Sequence, residues 1–358
     1  MKVVFRVDAS VAIGSGHVMR CLVLANELQR NGYHIRFACL PQRGDMCKFI
    51  EQQGYEVIYL SQPEKERVPQ HSSDYLAWLQ RSVEEDAQEV IGYLDNVSWL
   101  VCDHYALDKK WQQLIKNGTN VNIIAIDDLV RKHTAEIVID QTISRSQEAY
   151  HSAKLALTGI KYALLKPQFS QLRAYVNLRK PDLSLPRVLI SMGGIDLPNA
   201  TLAVLKTLEN NAIKCKITVL MNQRSPNFNK IANWCKQREY VTHIAFSTDM
   251  ANLMLNHDIS IGAPGSTSWE RACLGLPSIV IPLADNQIEI CEQLVLNNLS
   301  LKVSLEEIPD KLASSFYHIC DNWYHMHINN MAICDGLGVF RVVSKIVELD
   351  NARSNNMQ

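Results

Sequence analysis

The sequence lacks long apolar runs, a strong net charge and paired cysteines. Within its 358 residues no uninterrupted apolar stretch approaches the ~20 residues that are needed to span a membrane. The chain begins with MKVVFRVD, which has the pattern of a strand and not the apolar core and cleavage site of a signal peptide. We therefore expect a cytoplasmic protein with no membrane partner.

The charge balance and the cysteine pattern exclude two further classes of protein. The formal net charge is -1, whereas non-specific binding to nucleic acid requires clustered lysine and arginine. No nucleic-acid partner is expected, and any phosphate that the protein recognises belongs to a small molecule. The ten cysteines lie singly between Cys21 and Cys334 without a Cys-x-x-Cys pair, which favours reduced thiols over disulfides or a zinc site.

What the sequence does contain is an alternation of short Val-, Ile- and Leu-rich runs with helical patterns, which is typical of parallel β-α-β units. The chain is longer than the ~250 to 300 residues at which one core stops growing, so two domains are expected. The fold class predicted is α/β, with two doubly wound Rossmann-type domains facing a cleft. The predicted strands are Val3–Val7, Ile35–Leu40, Glu56–Leu60, Trp99–Cys102, Ile123–Ile126, Ile137–Ile139, Arg187–Met192, Cys215–Leu220, Val241–Ala245, Asp258–Ile261 and Ser278–Ile281.

The predicted domain boundaries follow from a change in composition after the first set of strands. Residues 1–165 form the first domain, and the basic segment 166–186, which carries three prolines, is predicted to be a linker. Residues 187–337 form the second domain. Residues 338–358 are predicted to form a last helix that returns to the first domain and a frayed tail.

The first glycine turn, Gly14-Ser15-Gly16-His17, lies between a strand and an amphipathic helix. A dinucleotide site would have a third small residue and an acid about 20 residues later, and this sequence has neither. His17 is instead an ionisable residue at a helix N-terminus, where the helix dipole favours the neutral imidazole that can accept a proton. Its alternative role is that of a capping or core histidine. Asp8, after the same strand, could orient the ring or the substrate, or cap the loop.

Two more glycine turns follow strands of the second domain. Gly193-Gly194 would let backbone amides approach a phosphate, although paired glycines are also common in loops. Gly265-Ser266-Thr267 opens a helix whose free N–H groups could hold a diphosphate. Glu270, one turn further on, could accept both hydroxyls of a ribose. Its alternative role is that of an acid in the first turn, which the helix dipole favours by ~0.3 to 1 kcal/mol.

The residues from 265 to 287, GSTSWERACLGLPSIVIPLADNQ, resemble the UDP-sugar signature of GT-B-fold proteins, in which an acid matching Glu270 holds the ribose. From RVDASVAIGSGHVMR through VCDHYALDKKW, IDDLVRKH and GIKYALLKPQF to MGGIDLPNATL, the chain resembles the UDP-2,4-diacetamido-2,4,6-trideoxy-β-L-altropyranose hydrolase family of pseudaminic acid biosynthesis. The resemblance covers roughly residues 1 to 300. It implies a GT-B-like fold, a UDP-sugar substrate, and His17 as the catalytic base.

The hypothesis that follows is inverting hydrolysis, in which water activated by His17 attacks the anomeric carbon and UDP leaves. No cofactor and no metal are expected, since the sequence has no Asp-x-Asp motif, and we expect a monomer. Strand-end residues His104 and Asp127 could also contact the sugar, while Asp103 and Asp127 could alternatively cap helices. The predicted catalytic residues are His17 and Asp8, and the predicted substrate-binding residues are Gly14, Gly16, Arg20, Asp103, Tyr105, Asp128, Tyr162, Gly193, Gly194, Ala263, Gly265, Ser266, Thr267, Glu270, Asn286 and Gln287.

Two other functions use the same residues. A glycosyltransferase would bind an acceptor hydroxyl where the hydrolase binds water, and it would need an acceptor groove. A non-catalytic UDP-sugar sensor would bind the nucleotide without turnover, and replacement of His17 would leave its function intact.

Overall fold

The computed structural model describes residues 1–176 and 180–356. Residues 177–179, in the predicted linker, and 357–358, in the predicted tail, lie outside the described residues. The chain divides into two compact units, the first formed by Met1–Leu165 with Leu337–Gln358 and the second by Lys166–Gly336.

The first unit is a seven-stranded parallel sheet in the order β3-β2-β1-β4-β5-β6-β7, with helices on its faces. The apolar runs form buried strands, because helices cover both faces of a parallel sheet. The strands are β1 (Lys2–Val7), β2 (His34–Cys39), β3 (Glu56–Tyr59), β4 (Trp99–Asp103), β5 (Asn122–Ile126), β6 (Ile137–Asp140) and β7 (Leu155–Thr158). The helices before residue 165 are α1 (Gly16–Arg30), α2 (Cys47–Gln52), α3 (Tyr75–Leu79), α4 (Val83–Ile91) and α5 (Lys109–Gly118), with 3-10 turns at Gln147–Tyr150 and Ile160–Tyr162.

The strand order reverses between β1 and β4, which is the switch point where ligands of open α/β sheets bind. Val7, the last residue of β1, is in register with Asp103, the last residue of β4. The residues that follow these two strands therefore emerge side by side at one edge of the sheet.

The second unit is a six-stranded parallel sheet in the order β10-β9-β8-β11-β12-β13, and its switch point lies between β8 and β11. Its strands are β8 (Arg187–Ser191), β9 (Lys216–Leu220), β10 (Val241–Ile244), β11 (Ile259–Gly262), β12 (Ser278–Val280) and β13 (Ser300–Lys302). Its helices are α6 (Pro167–Val176), α7 (Ala200–Asn210), α8 (Phe228–Lys236), α9 (Met250–Leu255), α10 (Ser266–Cys273), α11 (Ile288–Leu296) and α12 (Ile308–Ile333), with a 3-10 turn at Asp285–Gln287.

The last helix, α13 (Gly338–Asn356), belongs to the first unit. It buries Val342 and Ile346 in the core that β1 and α1 share. Asp350 accepts hydrogen bonds from the Tyr33 hydroxyl at 2.5 Å and from the Trp99 indole N–H at 2.9 Å. These contacts join the C-terminal end of the chain to the first sheet.

All eleven predicted strands are present, with ends within one residue of the predicted ones. Two short edge strands, β7 and β13, were not predicted, because each has four residues or fewer and neither is buried along its whole length. The linker prediction for 166–186 is corrected by α6, which occupies half of that segment within the second unit. Pro167 is its first residue, a position where a helix needs no N–H donor.

None of the helices described is long and apolar enough to cross a membrane. All ten cysteines have free thiols, and nine of them are buried.

Candidate active site

The turn that carries His17 follows the central strand of the first sheet. Gly14 adopts a φ of +80°, which glycine reaches without steric cost, and its N–H donates to the Ser10 carbonyl at 2.8 Å. Gly16 is the first residue of α1 and His17 is the second. This arrangement brings the imidazole to the switch point of the sheet, where it is 7% exposed.

His17 is held by a carboxylate from the neighbouring strand. Its Nδ1 lies 2.6 Å from the Asp103 Oδ1. The carboxylate can only accept, so Nδ1 carries the proton and donates it to Asp103. Nε2 is then the basic nitrogen, and it has no hydrogen-bond partner among the described residues. A base oriented in this way by a carboxylate is the arrangement that general-base catalysis requires.

Asp103 stays ionised because the Arg20 cation and the His17 N–H both donate hydrogen bonds to it. The Arg20 guanidinium donates from Nε to Oδ2 at 2.6 Å and from Nη2 to Oδ1 at 2.7 Å. Burial opposes ionisation of Asp103, yet Arg20 and His17 hold its pKa well below the usual range. Arg20 also donates to Asp128 at 3.0 Å, so three of the predicted residues form one network with His17.

An aromatic group packs on the other side of the imidazole. The Tyr105 ring meets the His17 ring edge-on, with centroids 4.7 Å apart. Tyr75 and Trp78 contact Tyr105 in turn, at 4.9 and 5.8 Å. Burial, and then the charge of Asp128, raise the pKa of Tyr105 well above its usual value, so the phenol stays neutral. These rings fix the orientation of His17 and limit its exposure to water.

The structure corrects the hypothesis that Asp8 orients His17, because Asp103 makes that contact. Asp8 accepts from Arg6 at 2.6 Å and from the Leu40 N–H at 2.7 Å. The physical reason is the buried Arg6 guanidinium, a charge that is stabilised by the carboxylates of both Asp8 and Asp86. The second Asp8 oxygen and the His104 Nε2 are buried without a partner in the described part of the chain. Burial lowers the pKa of His104 to about 4, so this ring is neutral at pH 7.

Two residues that were predicted to contact the sugar make protein contacts away from His17. Asp127 accepts from the Arg131 Nε at 2.9 Å and from the His133 Nε2 at 3.1 Å, which ties a loop together. Tyr162 packs against the first hydrophobic core, with the Lys161 ammonium 5.2 Å from its ring centroid. In the described structure neither residue has a contact with His17.

The two glycine turns of the second unit start from neighbouring strands. Gly193, two residues after β8, has a φ of +82°, and a Cβ there would meet no atom within 4 Å. Gly265 caps α10 after β11 and has the same open surroundings. The first N–H groups of α10, at Ser266 and Thr267, are not needed within the helix. Open glycines beside free N–H groups can bind an anion.

Glu270 is half-buried in α10, and burial raises its pKa to about 7 although Lys166 and Arg271 oppose that shift. Hydrogen bonds donated to this carboxyl group would stabilise its ionised form, and a pair of ribose hydroxyls would supply them.

Other predicted residues support the loops of this unit. The Ala263 carbonyl accepts from the Arg271 Nη2 at 3.2 Å, and the Gln287 Oε1 accepts from the Leu283 N–H at 2.8 Å. Asn286 is half-buried in the adjoining 3-10 turn. Sequence analysis missed Arg271. A charged residue within the buried stretch from Trp269 to Cys273 was the available signal.

Known proteins are similar to this chain in sequence. A UDP-2,4-diacetamido-2,4,6-trideoxy-β-L-altropyranose hydrolase of Campylobacter jejuni is 28% identical over 258 residues, which are 71% of this chain and 81% of the relative. An uncharacterised protein of Methanocaldococcus jannaschii is 25% identical over 358 residues, covering 99% of this chain and 67% of that protein.

The fold is also that of known glycosyltransferase structures. The crystal structure of MurG from Acinetobacter baumannii superposes with a TM-score of 0.67 at 14% identity, covering 97% of this chain and 99% of that one. Residues 190–332 match the family model of the glycosyltransferase family 28 C-terminal domain. The predicted fold class is therefore confirmed, and the chain has a GT-B fold made of two parallel-sheet α/β units.

Proposed function

We propose that the protein hydrolyses UDP-2,4-diacetamido-2,4,6-trideoxy-β-L-altropyranose to UDP and the free sugar, as a cytoplasmic step of pseudaminic acid biosynthesis. The observation that carries the proposal is the His17–Asp103 pair, with its 2.6 Å contact and an Nε2 that has no partner among the described residues. The similarity to the Campylobacter hydrolase supports the choice of substrate.

The proposed chemistry begins with a water molecule bound to the His17 Nε2. As the water oxygen attacks the anomeric carbon, Nε2 takes its proton, and the bond from that carbon to the UDP oxygen breaks with its electron pair leaving on UDP. Attack from the opposite side inverts the anomeric configuration. Asp103 stabilises the imidazolium that forms, and such general-base assistance contributes ~10² to 10⁴ in rate.

The second unit would hold the nucleotide. The amides at Gly193-Gly194 and Gly265-Ser266-Thr267 would bind the diphosphate, and Glu270 would accept the ribose hydroxyls. Backbone dipoles that stabilise charge as it develops on a leaving group are an effective form of catalysis. The match of residues 190–332 to a glycosyltransferase domain supports the assignment of the nucleotide to this unit.

The alternative is a glycosyltransferase, which the similarity to MurG favours. The experiment that separates the two incubates the protein with UDP-diacetamido sugars in the absence of an acceptor and measures UDP release. Hydrolysis predicts many turnovers per protein, at a rate that His17→Asn lowers at least ~10²-fold. UDP release that requires an added alcohol would identify a transferase, and tight binding without turnover would identify a sensor.

A further inference from the structure

The second unit contains a buried cation, Arg271, on which the Glu270 carboxylate acts through its charge but without a hydrogen bond or an ion pair among the described residues. Arg271 is 2% exposed, and no carboxylate of the described residues forms an ion pair with it. Its Nη2 makes both of its hydrogen bonds, to the Ala263 carbonyl at 3.2 Å and to the Ser268 hydroxyl at 2.9 Å. Its Nε is buried without a partner. A buried charge left in this state is costly, so it requires an explanation.

Other buried arginines of the chain are paired. In the first unit, Arg6 contacts Asp8 and Asp86, and Arg20 contacts Asp103 and Asp128. The carboxylates raise the pKa of both arginines well above the usual value, although burial opposes this. Burial lowers the pKa of Arg271 to about 10 instead, because the charge of the Glu270 carboxylate opposes that shift only in part. Arg271 therefore differs from Arg6 and Arg20 because it has no ion pair within the described part of the chain. A bound anion would supply the missing partner.

The position of Arg271 indicates where such an anion would bind. Its Nη1 lies 3.2 Å from the point where a Cβ on Gly262 would stand, and the Ser191 carbonyl lies 2.2 Å from the same point. Gly262 and Ser191 are register partners at the ends of β11 and β8. The guanidinium therefore lies next to the ends of β8 and β11, the two strands that the glycine turns follow.

Arg271 is also connected to the N-terminus of α10. The Ser268 hydroxyl, which accepts from the Arg271 Nη2, accepts from the Gly265 N–H at 3.2 Å as well. The cation and the cap of the helix are therefore linked through one side chain. Its charge adds to the positive end of the helix dipole at the same turn.

We infer that Arg271 is a buried counter-charge and positioning residue for a diphosphate bound at the Gly265 turn. The inference rests on the proposed function, since it takes UDP as the ligand. Through Ser268 and Ala263, Arg271 fixes the turn, and its charge favours the two phosphates without direct contact. The same charge stabilises UDP as it leaves with an additional negative charge.

The test measures UDP and uridine binding by calorimetry, using Arg271→Met, which replaces the cation with an apolar chain of similar length. Loss of a unit charge near the bound diphosphate predicts UDP binding about 10- to 100-fold weaker, with uridine binding changed by less than ~3-fold. Arg271→Lys keeps the charge and should bind UDP within ~5-fold of wild type. Ser268→Ala, which keeps the charge and breaks the link to Gly265, should give a smaller loss than Arg271→Met.

Three results would overturn the inference while the wild type binds UDP. They are unchanged UDP affinity in Arg271→Met, an equal loss of UDP and uridine affinity in that variant, and a loss in Arg271→Lys as large as that in Arg271→Met. If Arg271→Met does not fold, Arg271→Lys decides alone, since a loss above ~10-fold would contradict a role based on charge. Failure of the wild type to bind UDP would instead refute the proposed function.

Discussion

The sites of the two units differ in how their charges are compensated. In the first unit, His17 and Arg20 share the Asp103 carboxylate, and Arg20 also contacts Asp128, so that each buried charge has an opposite partner. In the second unit, Arg271 forms no ion pair with a carboxylate of the described residues, although the charge of Glu270 acts on it, and burial raises the pKa of Glu270 to about 7. Both sites lie at the switch points of their sheets.

The difference indicates what each site acts on. A site that activates neutral water must orient its own base before the substrate arrives, and a complete network of ion pairs provides that orientation. A site for a charged nucleotide can leave its charges uncompensated, because the ligand supplies the missing partners. The following predictions test this contrast.

The largest expected effect is that of His17→Asn. We expect kcat to fall at least ~10²-fold, since the base is lost, while the affinity for UDP stays the same. In the wild type the rate should fall at low pH as the imidazole becomes protonated, and this limb should be absent in the variant. Steady-state kinetics across pH, with calorimetry for UDP, give both results. A turnover near that of the wild type would make His17 a structural turn residue.

The second prediction concerns Asp103→Asn, which removes the charge that fixes the tautomer of His17. We expect kcat to fall about 10- to 100-fold, a part of the ~10² to 10⁴ that general-base catalysis contributes, because the imidazole stays but its tautomer is no longer fixed. Asp128→Asn is the matched control, because it also removes a partner of Arg20 but leaves the contact between Asp103 and His17 intact. Equal losses in the two variants would show that the charge on Arg20 matters, and not the orientation of His17.

The third prediction concerns the nucleotide site. Glu270→Ala should weaken UDP binding by about 1 to 3 kcal/mol, through the loss of charge-assisted hydrogen bonds to the ribose. Since the pKa of free Glu270 is about 7 and ribose hydroxyls favour its ionised form, the wild-type affinity should rise from pH 6 to pH 8. In Glu270→Gln this increase should be absent, and only the increase in affinity that follows ionisation of the UDP phosphate should remain. Identical pH profiles by calorimetry would remove Glu270 from the site.

The smallest effect is expected from chelation. We expect the same turnover in excess EDTA as without it, because backbone amides and Arg271 would stabilise the negative charge of the leaving group in place of a metal ion. Assays in EDTA, followed by addition of Mg²⁺, check this. Loss of turnover that Mg²⁺ restores would contradict the account of the second site.

The sequence predicted the sheets better than the contacts. The alternation of apolar runs with helical patterns located eleven strands, because a run of apolar residues indicates burial. β7 and β13 are short and only partly buried, so their sequences carry little of that signal. The linker prediction took the prolines of 166–186 as breaks, although Pro167 starts a helix.

The candidate sites show the same limit. His17 and Glu270 could be found from local motifs, since each stands at a fixed distance from a glycine turn. The partner of His17 could not, because Asp8 follows β1, Asp103 ends β4, and these two strands meet at the switch point. Which of the two contacts the imidazole depends on the buried Arg6, which takes Asp8. Such a choice is made by packing across the sheet and leaves no local pattern.

The most direct test of the central claim is the position of bond cleavage. The protein is incubated in ¹⁸O water with UDP-2,4-diacetamido-2,4,6-trideoxy-β-L-altropyranose and no acceptor, and both products are analysed by mass spectrometry. Because water activated by His17 attacks carbon, we predict that the label enters the released sugar and that UDP stays unlabelled. Label in UDP would show attack at phosphorus, and the absence of any UDP release would show that the protein is not a hydrolase of this substrate.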